Sequence, residues 1–254
     1  MSAERQDSWH YSHPVALNGD GVAAHARNST TPGDPLLGLA ALNARSRARV
    51  MRAQRRVYSR GVKRLVDVVF GSVLFALCFP VLALAYIAIL LESGRPVMFM
   101  QKRVGRDGVL FEVMKFRTMI PDRRSHSLDI TFRDRRVRHK SSSDPRVTRV
   151  GAFLRRTSID ELPQLLNVVR GEMSLVGPRP ELPGLVERYE DWQHARHLVR
   201  PGITGWWQIN GRSDLPMHLS TDLDIFYLEH MSFWLDVRIL LQTPASVVNG
   251  HGAY

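Results

Sequence analysis

Apolar and polar positions divide the chain into stretches of clearly different character. The longest apolar run, Val68 to Leu91, carries no formal charge and has Pro80 near its middle. A helix of about 20 apolar residues crosses the hydrocarbon core of a bilayer. Proline removes a backbone donor and clashes with the preceding turn, so a kink or break is expected at Pro80. Each arm is then at most about 18 Å long, at 1.5 Å per residue, too short to cross alone. Two readings stand: a re-entrant helical hairpin with both ends on one face, and a kinked single span. Lys63 and Arg64 precede the run, and Arg95, Lys102 and Arg103 follow it. Basic flanks prefer the cytoplasmic side, and two basic flanks favour the hairpin.

Beyond this run, Val97 to Val104 and Val109 to Met114 read as short strands, joined by a hairpin turn at Gly105-Arg106-Asp107-Gly108. Lys115 to Met119 leads into a polar, Arg-rich segment reaching about Pro145, which reads as a long loop. Leu162, Leu165, Leu166 and Val169 share one face of a helix expected over Ser158 to Val169. Another helix is expected over Leu185 to Val199, with more after Leu219 and Leu235. Gly177-Pro178-Arg179-Pro180 and Pro201 to Gly205 punctuate them as rigid loops.

Upstream, residues 1 to 35 lack periodicity and read as disordered. Leu36 to Tyr58 is either a basic amphipathic helix on a membrane surface or a solvated linker, the simpler reading. The pattern predicts an α+β, mainly helical fold with a membrane-inserted re-entrant helix broken at Pro80, amphipathic surface helices and a small β-hairpin. Its parts are a disordered or partly helical basic extension over 1–60, the membrane hairpin over 61–95 and a cytosolic domain over 96–254.

Charge changes the picture next. The 254 residues carry a net charge of +11, which suits anionic lipid or an anionic substrate held near it. Nucleic acid is the competing partner. The only cysteine, Cys78, lies in the apolar run, so a disulfide framework and a Cys-based metal site are excluded. Met1 to Leu17 has no apolar core of a secretory signal, and most of the mass is expected in the cytoplasm.

The candidate chemistry lies in Thr157-Ser158-Ile159-Asp160-Glu161-Leu162-Pro163-Gln164. Ser158 with Glu161 three residues on matches a helix capping box, and acids suit a first turn. The same geometry suits catalysis: N–H groups at a helix start attract phosphate, and an ionised carboxylate can attack phosphorus. Neighbours on a helix point about 100° apart, so Asp160 can face a phosphorus while Glu161 faces a metal. A carboxylate approaching a diphosphate is repelled, by about 4 kcal/mol for unit charges about 4 Å apart near a protein surface. Mg²⁺ and arginines are the usual remedy. Arg146, Arg149, Arg155 and Arg156 lie close in sequence, and Arg179 is held between two prolines. His194 and His197 read as an ordinary surface pair. Trp206 and Trp207 suit either base stacking or a lipid interface.

With these residues in view, the chain resembles the monotopic phosphoglycosyl transferases, also called bacterial sugar transferases, from Lys63 to about Val248. The motifs that carry the resemblance occur in order: Lys63-Arg64-x-x-Asp67, Gln101-x-Arg103-x-Gly105, Lys115-Phe-Arg-Thr-Met119 and Asp144-Pro-Arg146-x-Thr148. Ser158-x-Asp160-Glu161-Leu-Pro-Gln164, Asn167 to Pro180, Pro201 to Gly205, Gly211-Arg212, Asp224-x-x-Tyr227 and Asp236 complete them. The resemblance implies that Asp160 attacks the β-phosphate of a UDP-sugar, releasing UMP and leaving a phosphosugar on the carboxylate. Polyprenyl phosphate then takes the phosphosugar. Glu161, with Asp160, would hold Mg²⁺; Arg155, Arg179, Lys115 and Arg117 would bind phosphates. A proline matching Pro80 breaks the family's re-entrant helix.

Three positions depart from the family pattern. Phe79 replaces the usual Ser before the kink proline, Ile159 replaces Leu, and Trp207 stands where Ala is common. The expected enzyme is a monotopic transferase of the bacterial inner membrane, with its catalytic domain on the cytoplasmic face. UDP-sugar, polyprenyl phosphate and membrane lipid are its partners; a homo-oligomer is compatible, and nucleic acid is not expected. The alternative is a basic, membrane-anchored nucleic-acid-binding or scaffold protein built on the Arg45 to Arg60 and Arg123 to Lys140 clusters. A polytopic transferase is excluded by the single apolar run. The sugar is not encoded in any motif.

Overall fold

The computed structural model describes residues 34–54, 58–120, 145–210 and 221–248, all within the compact unit Thr31–Tyr254. The disorder expected over the first residues and the Arg123 to Lys140 cluster lie outside the described residues.

Two short helices come first, α1 (Pro35–Ala41) and α2 (Ala44–Gln54). Asp34 caps α1 by accepting the Leu36 N–H at 2.9 Å. Pro35, Gly38, Leu42, Ser46, Val50 and Ala53 are buried. Leu42 and Val50 join the main core beside Val168, Met173, Tyr227 and Leu228. These residues therefore pack as part of the body, where a solvated linker would leave them exposed.

After a π-helical turn at Tyr58–Val62 comes α3 (Lys63–Ser93), the one described helix long and apolar enough to cross a membrane. Pro80 lies inside α3 and does not end it, which corrects the expected break in the helix. The ring sits on the exposed face. Asp67, Gly71, Leu82, Ala85 and Ile89 are buried along the opposite stripe, with Phe75 and Cys78 packed partly against the cores. That three-and-four spacing is one helical face, and its packing holds both arms while proline removes only a local bond. The outward face stays apolar: Leu77 is 72% and Leu91 81% exposed.

Both ends of α3 are tied to the same body. At the start, Lys63 Nζ lies 2.5 Å from Asp236 Oδ2, and Asp67 accepts from Ser174 Oγ at 3.0 Å and Leu175 N at 3.1 Å. Arg64 donates to the carbonyls of Val168 and Val169 at 2.7 and 2.9 Å. At the far end, the Glu92 carboxylate accepts the N–H groups of Arg149 and Val150 at 2.8 and 3.0 Å.

The expected hairpin is present. β1 (Met98–Val104) pairs antiparallel with β2 (Leu110–Phe116), with Val104 opposite Leu110 across the Gly105 to Gly108 turn. The chain leaves at Ile120 and returns at Arg146, whose carbonyl accepts the Ile120 N–H at 2.9 Å. Next come α4 (Arg149–Thr157) and α5 (Gln164–Arg170). The helix expected over Ser158 to Val169 is thus interrupted. Ser158 closes α4 in the left-handed conformation, φ 56°, its N–H donating to Arg155 O; a 3₁₀ turn spans Ile159–Glu161, and the Ser158 side chain makes no capping hydrogen bond.

β3 (Ser174–Val176) pairs parallel with β4 (Gly202–Thr204). Between them lie the one-turn helix α6 (Pro183–Val186) and a 3₁₀ stretch, Asp191–Leu198, in place of the continuous helix expected over Leu185 to Val199. Prolines and the Glu190–Gln193 capping box restart the chain there. His194 and His197 are only 9% and 5% exposed, so they are core residues and not a surface pair; Tyr189 packs against both rings. The chain closes with α7 (Trp206–Asn210), α8 (Thr221–His230) and α9 (Phe233–Val248). The architecture is α+β and mainly helical, with a small antiparallel hairpin and one long apolar helix.

Candidate active site

Three elements bring the charged residues together: the end of β2, the turn between α4 and α5, and the loop after β3. Lys115 is the next-to-last residue of β2. Asp160 and Glu161 lie in the 3₁₀ turn. Arg179 lies in the Gly177 to Pro180 loop, where glycine allows a close approach. A Cβ on Gly177 would come within 2.4 Å of the Arg200 carbonyl oxygen.

Glu161 is the centre of the cluster. Lys115 Nζ lies 2.7 Å from its Oε1; Arg179 forms a two-pronged pair, NH2 to Oε1 at 2.6 Å and NH1 to Oε2 at 3.2 Å. Burial pushes the Glu161 carboxyl up, but Arg179 and Lys115 outweigh it and hold it well below the usual range. The Glu161 charge in turn raises Arg179 further. Burial pulls Lys115 down, against the pull of Glu161.

Asp160 is different. It takes part in neither of these ion pairs. Burial, then the neighbouring Glu161 charge, raises its carboxyl to about 6, against the opposing pull of Lys115, Arg155 and Arg179. An adjacent pair of carboxyls with separated ionisation suits two roles, one as nucleophile and one as charge organiser.

Arg155, in the last turn of α4, donates through Nε to Thr118 Oγ1 at 2.8 Å. Thr118 is held in turn by α4, because Gly151 packs flush on its carbonyl; a Cβ there would sit 2.2 Å away. Of the residues read from the sequence, Lys115, Arg155, Asp160, Glu161 and Arg179 are brought together. Arg117 is turned elsewhere: its NH2 donates to Ser93 O, Ser93 Oγ and Gly94 O, each at 2.8 Å. Those carbonyls end α3 and need a donor, so Arg117 closes the membrane-type helix and does not join the cluster. Pro80 lies within α3.

Sequence reasoning missed Arg196, which is 2% exposed. Its NH2 donates to the Arg179 carbonyl at 2.8 Å and pairs with Asp224 Oδ2 at 2.7 Å, while NH1 donates to the Tyr189 hydroxyl. The sequence signal for it is Asp224 in the Asp224-x-x-Tyr227 motif, a buried acid that needs a cation.

The donors suit magnesium only in part. Mg²⁺ binds one or two carboxylates with substrate phosphates and water. Asp160 and Glu161 supply those two, and among the described residues no cluster of three or more metal-ligating side chains occurs. Both Glu161 oxygens are shared with cations, so phosphate must complete such a site.

The chain is similar to known proteins over most of its length. Residues 58–250 match the family described as bacterial sugar transferase. The undecaprenyl-phosphate glucose phosphotransferase of Komagataeibacter xylinus is 45% identical over 206 residues, 76% of this chain and 37% of that protein. The undecaprenyl-phosphate galactose phosphotransferase of Salmonella typhimurium is 37% identical over 202 residues, 77% of this chain and 42% of that protein. The exopolysaccharide production protein ExoY of Rhizobium meliloti is 38% identical over 199 residues, 76% of this chain and 88% of that protein. The chain spans less than half the length of the two phosphotransferases. The match runs through every element from α3 to α9, and the chain belongs to the bacterial sugar transferase family.

Proposed function

We propose that this protein transfers a sugar-1-phosphate from a UDP-sugar to polyprenyl phosphate, as the first membrane step of exopolysaccharide or other glycoconjugate synthesis. The observation that carries it is the Lys115–Glu161–Arg179 cluster beside Asp160, a carboxyl outside those pairs. The names of the two phosphotransferases above supply the acceptor class.

The proposed reaction runs in two displacements. Diphosphate oxygens draw Lys115 and Arg179 from Glu161, with Arg155 adjacent, and offset the charge that would repel Asp160. An Asp160 carboxylate oxygen attacks the β-phosphorus. The bond from that phosphorus to the bridging oxygen breaks, and UMP leaves with the oxygen. A phosphate oxygen of the polyprenyl phosphate then attacks the same phosphorus, giving polyprenyl-diphosphate sugar and restoring the carboxylate. Glu161, released from its cations, would hold Mg²⁺ together with Asp160 and the substrate phosphates. The ion would supply further neutralisation of the diphosphate. Sugar- and acceptor-dependent UMP release, screened across UDP-sugars, tests the reading; none with any donor would overturn it.

The raised Asp160 pKa has a definite sign. Only the ionised form attacks, so kcat/KM for UDP-sugar falls about tenfold per pH unit below about 6. A steady-state pH profile checks this, and a flat profile between about pH 5 and 8 would remove Asp160 from the rate expression.

The membrane reading is monotopic: α3 would re-enter by bending at Pro80 without a break in the helix, with both ends on the cytoplasmic face. Its support is that both ends of α3 are tied to one body while the outer face exposes Leu65, Phe70, Leu77, Leu84 and Leu91. In a Cys78→Ala background, cysteines placed at the exposed Gly61 and Arg95 are expected to react with an impermeant thiol reagent from the same side. Reaction from opposite sides would convert α3 into a span.

A further inference from the structure

The Gly177 to Pro180 loop that presents Arg179 is poor in its own hydrogen-bond donors, because Pro178 and Pro180 have no N–H. Its Gly177 N–H donates to Thr204 O at 2.9 Å, and beyond that residue the loop is fixed through its carbonyls. Gly202 N–H donates to Pro178 O at 2.9 Å, and Val104 N–H donates to Glu181 O just beyond the loop at 2.9 Å. Between these backbone anchors, the Arg179 carbonyl is held by a side chain, Arg196, at 2.8 Å. A small cavity is bordered by Pro178, Arg179, Pro180, Arg196 and His197.

Arg196 is itself immobilised. Its buried guanidinium pairs with Asp224 of α8 at 2.7 Å and donates to the Tyr189 hydroxyl. Asp224 is 2% exposed, and a planar fork between fixed acceptors leaves little rotational freedom.

Residues 34–54 brace both halves of this pair. α1 packs on the Asp191–Leu198 stretch that carries Arg196, and α2 packs on α8, which carries Asp224. Gly38 seats against the neighbouring backbone: a Cβ there would lie 2.0 Å from Ala195 N. Arg49 adds an ion pair to Glu229 of α8 at 3.2 Å. The family match begins at residue 58, so this brace lies outside it.

We propose that Arg196 is a positioning residue for the transfer reaction. Held by Asp224, it fixes the Arg179 carbonyl and so aims the Arg179 guanidinium at the diphosphate, with residues 34–54 bracing both partners. The proposal rests on the reading of Arg179 as a diphosphate ligand.

A double-mutant cycle on the full chain separates the two claims. Lysine at position 196 keeps the charge beside Asp224 but cannot reach all three acceptors. Arg196→Lys is expected to lower kcat/KM for UDP-sugar roughly 10- to 100-fold, with KM for polyprenyl phosphate unchanged. In an Arg179→Ala background the same change is expected to add nothing, because Arg196 acts through Arg179. An equal fold-loss in both backgrounds is the mark of a general structural defect and would overturn the positioning role while leaving the phosphate role of Arg179 intact. If Arg179→Ala alone leaves kcat/KM unchanged, the ligand reading falls and this proposal with it. Should Arg196→Lys fail to fold, Gly38→Ala carries the same cycle, with a several-fold loss expected only where Arg179 is present; no loss in either background would overturn the brace.

Discussion

Asp160→Asn is expected to abolish sugar-dependent UMP release, with a loss of about three to four orders of magnitude in kcat. The substitution is nearly isosteric and removes the nucleophilic oxygen's charge. Asp160 takes part in neither ion pair at Glu161, so the Lys115–Glu161–Arg179 cluster survives it. The cationic groups that would bind the diphosphate are therefore kept, and comparing kcat with UDP-sugar affinity in the variant separates chemistry from binding. Incubating the unaltered protein with UDP-sugar and no acceptor, followed by mass analysis of the peptide containing Asp160, is expected to show the added sugar phosphate. Turnover of the Asn variant within tenfold of normal would place the nucleophile elsewhere.

Asp236→Ala is expected to give the largest loss of stability. Asp236 is 4% exposed and accepts from Lys63 Nζ at 2.5 Å, Tyr58 OH at 2.5 Å and Tyr227 OH at 2.8 Å. Its removal strands the Lys63 ammonium, whose remaining partner, Asp67, is 3.9 Å away. Removing one partner of a buried pair costs about 3–5 kcal/mol. The damage is directional: α3 loses its tie to α9, and Asp67, next along α3, anchors the strand that leads to the Arg179 loop. Denaturant unfolding in lipid nanodiscs measures the loss. Arg106→Ala is the control, because its pair with Asp107 is about half exposed and solvent screening leaves such a pair nearly worthless. Similar losses in both variants would refute the role given to Asp236.

Much of this arrangement is legible in the sequence. The apolar run, the hairpin and the ordered motifs are local features, carried by side-chain period and turn residues within a few positions. Ser158 shows where local rules end. The Ser-x-x-Glu spacing fits a capping box, yet Glu161 is drawn to Lys115 and Arg179, and Ser158 takes the left-handed conformation that closes α4. His194 and His197 look like solvent residues by type, but Tyr189 and the 3₁₀ stretch bury them.

Arginine was the least readable residue. The net charge of +11 suits anionic partners, yet several arginines serve the fold. Arg64 caps the end of α5, Arg117 caps the end of α3, Arg200 donates to Gly171 O at 2.8 Å, and Arg196 holds the Arg179 loop. Each finds backbone carbonyls far away in sequence, and no local pattern reports that.

The sequence by itself determined the long apolar helix, the hairpin, the acidic pair and the family, because periodicity and motif order are properties of neighbouring residues. Tertiary structure alone decided that Glu161 is shared by Lys115 and Arg179, that Arg117 serves α3, that residues 34–54 join the core, and that Arg196 stands behind Arg179. Those outcomes depend on which distant carbonyls and charges meet once burial withdraws water as their partner, and the strong buried donors go to the nearest acceptors the fold supplies.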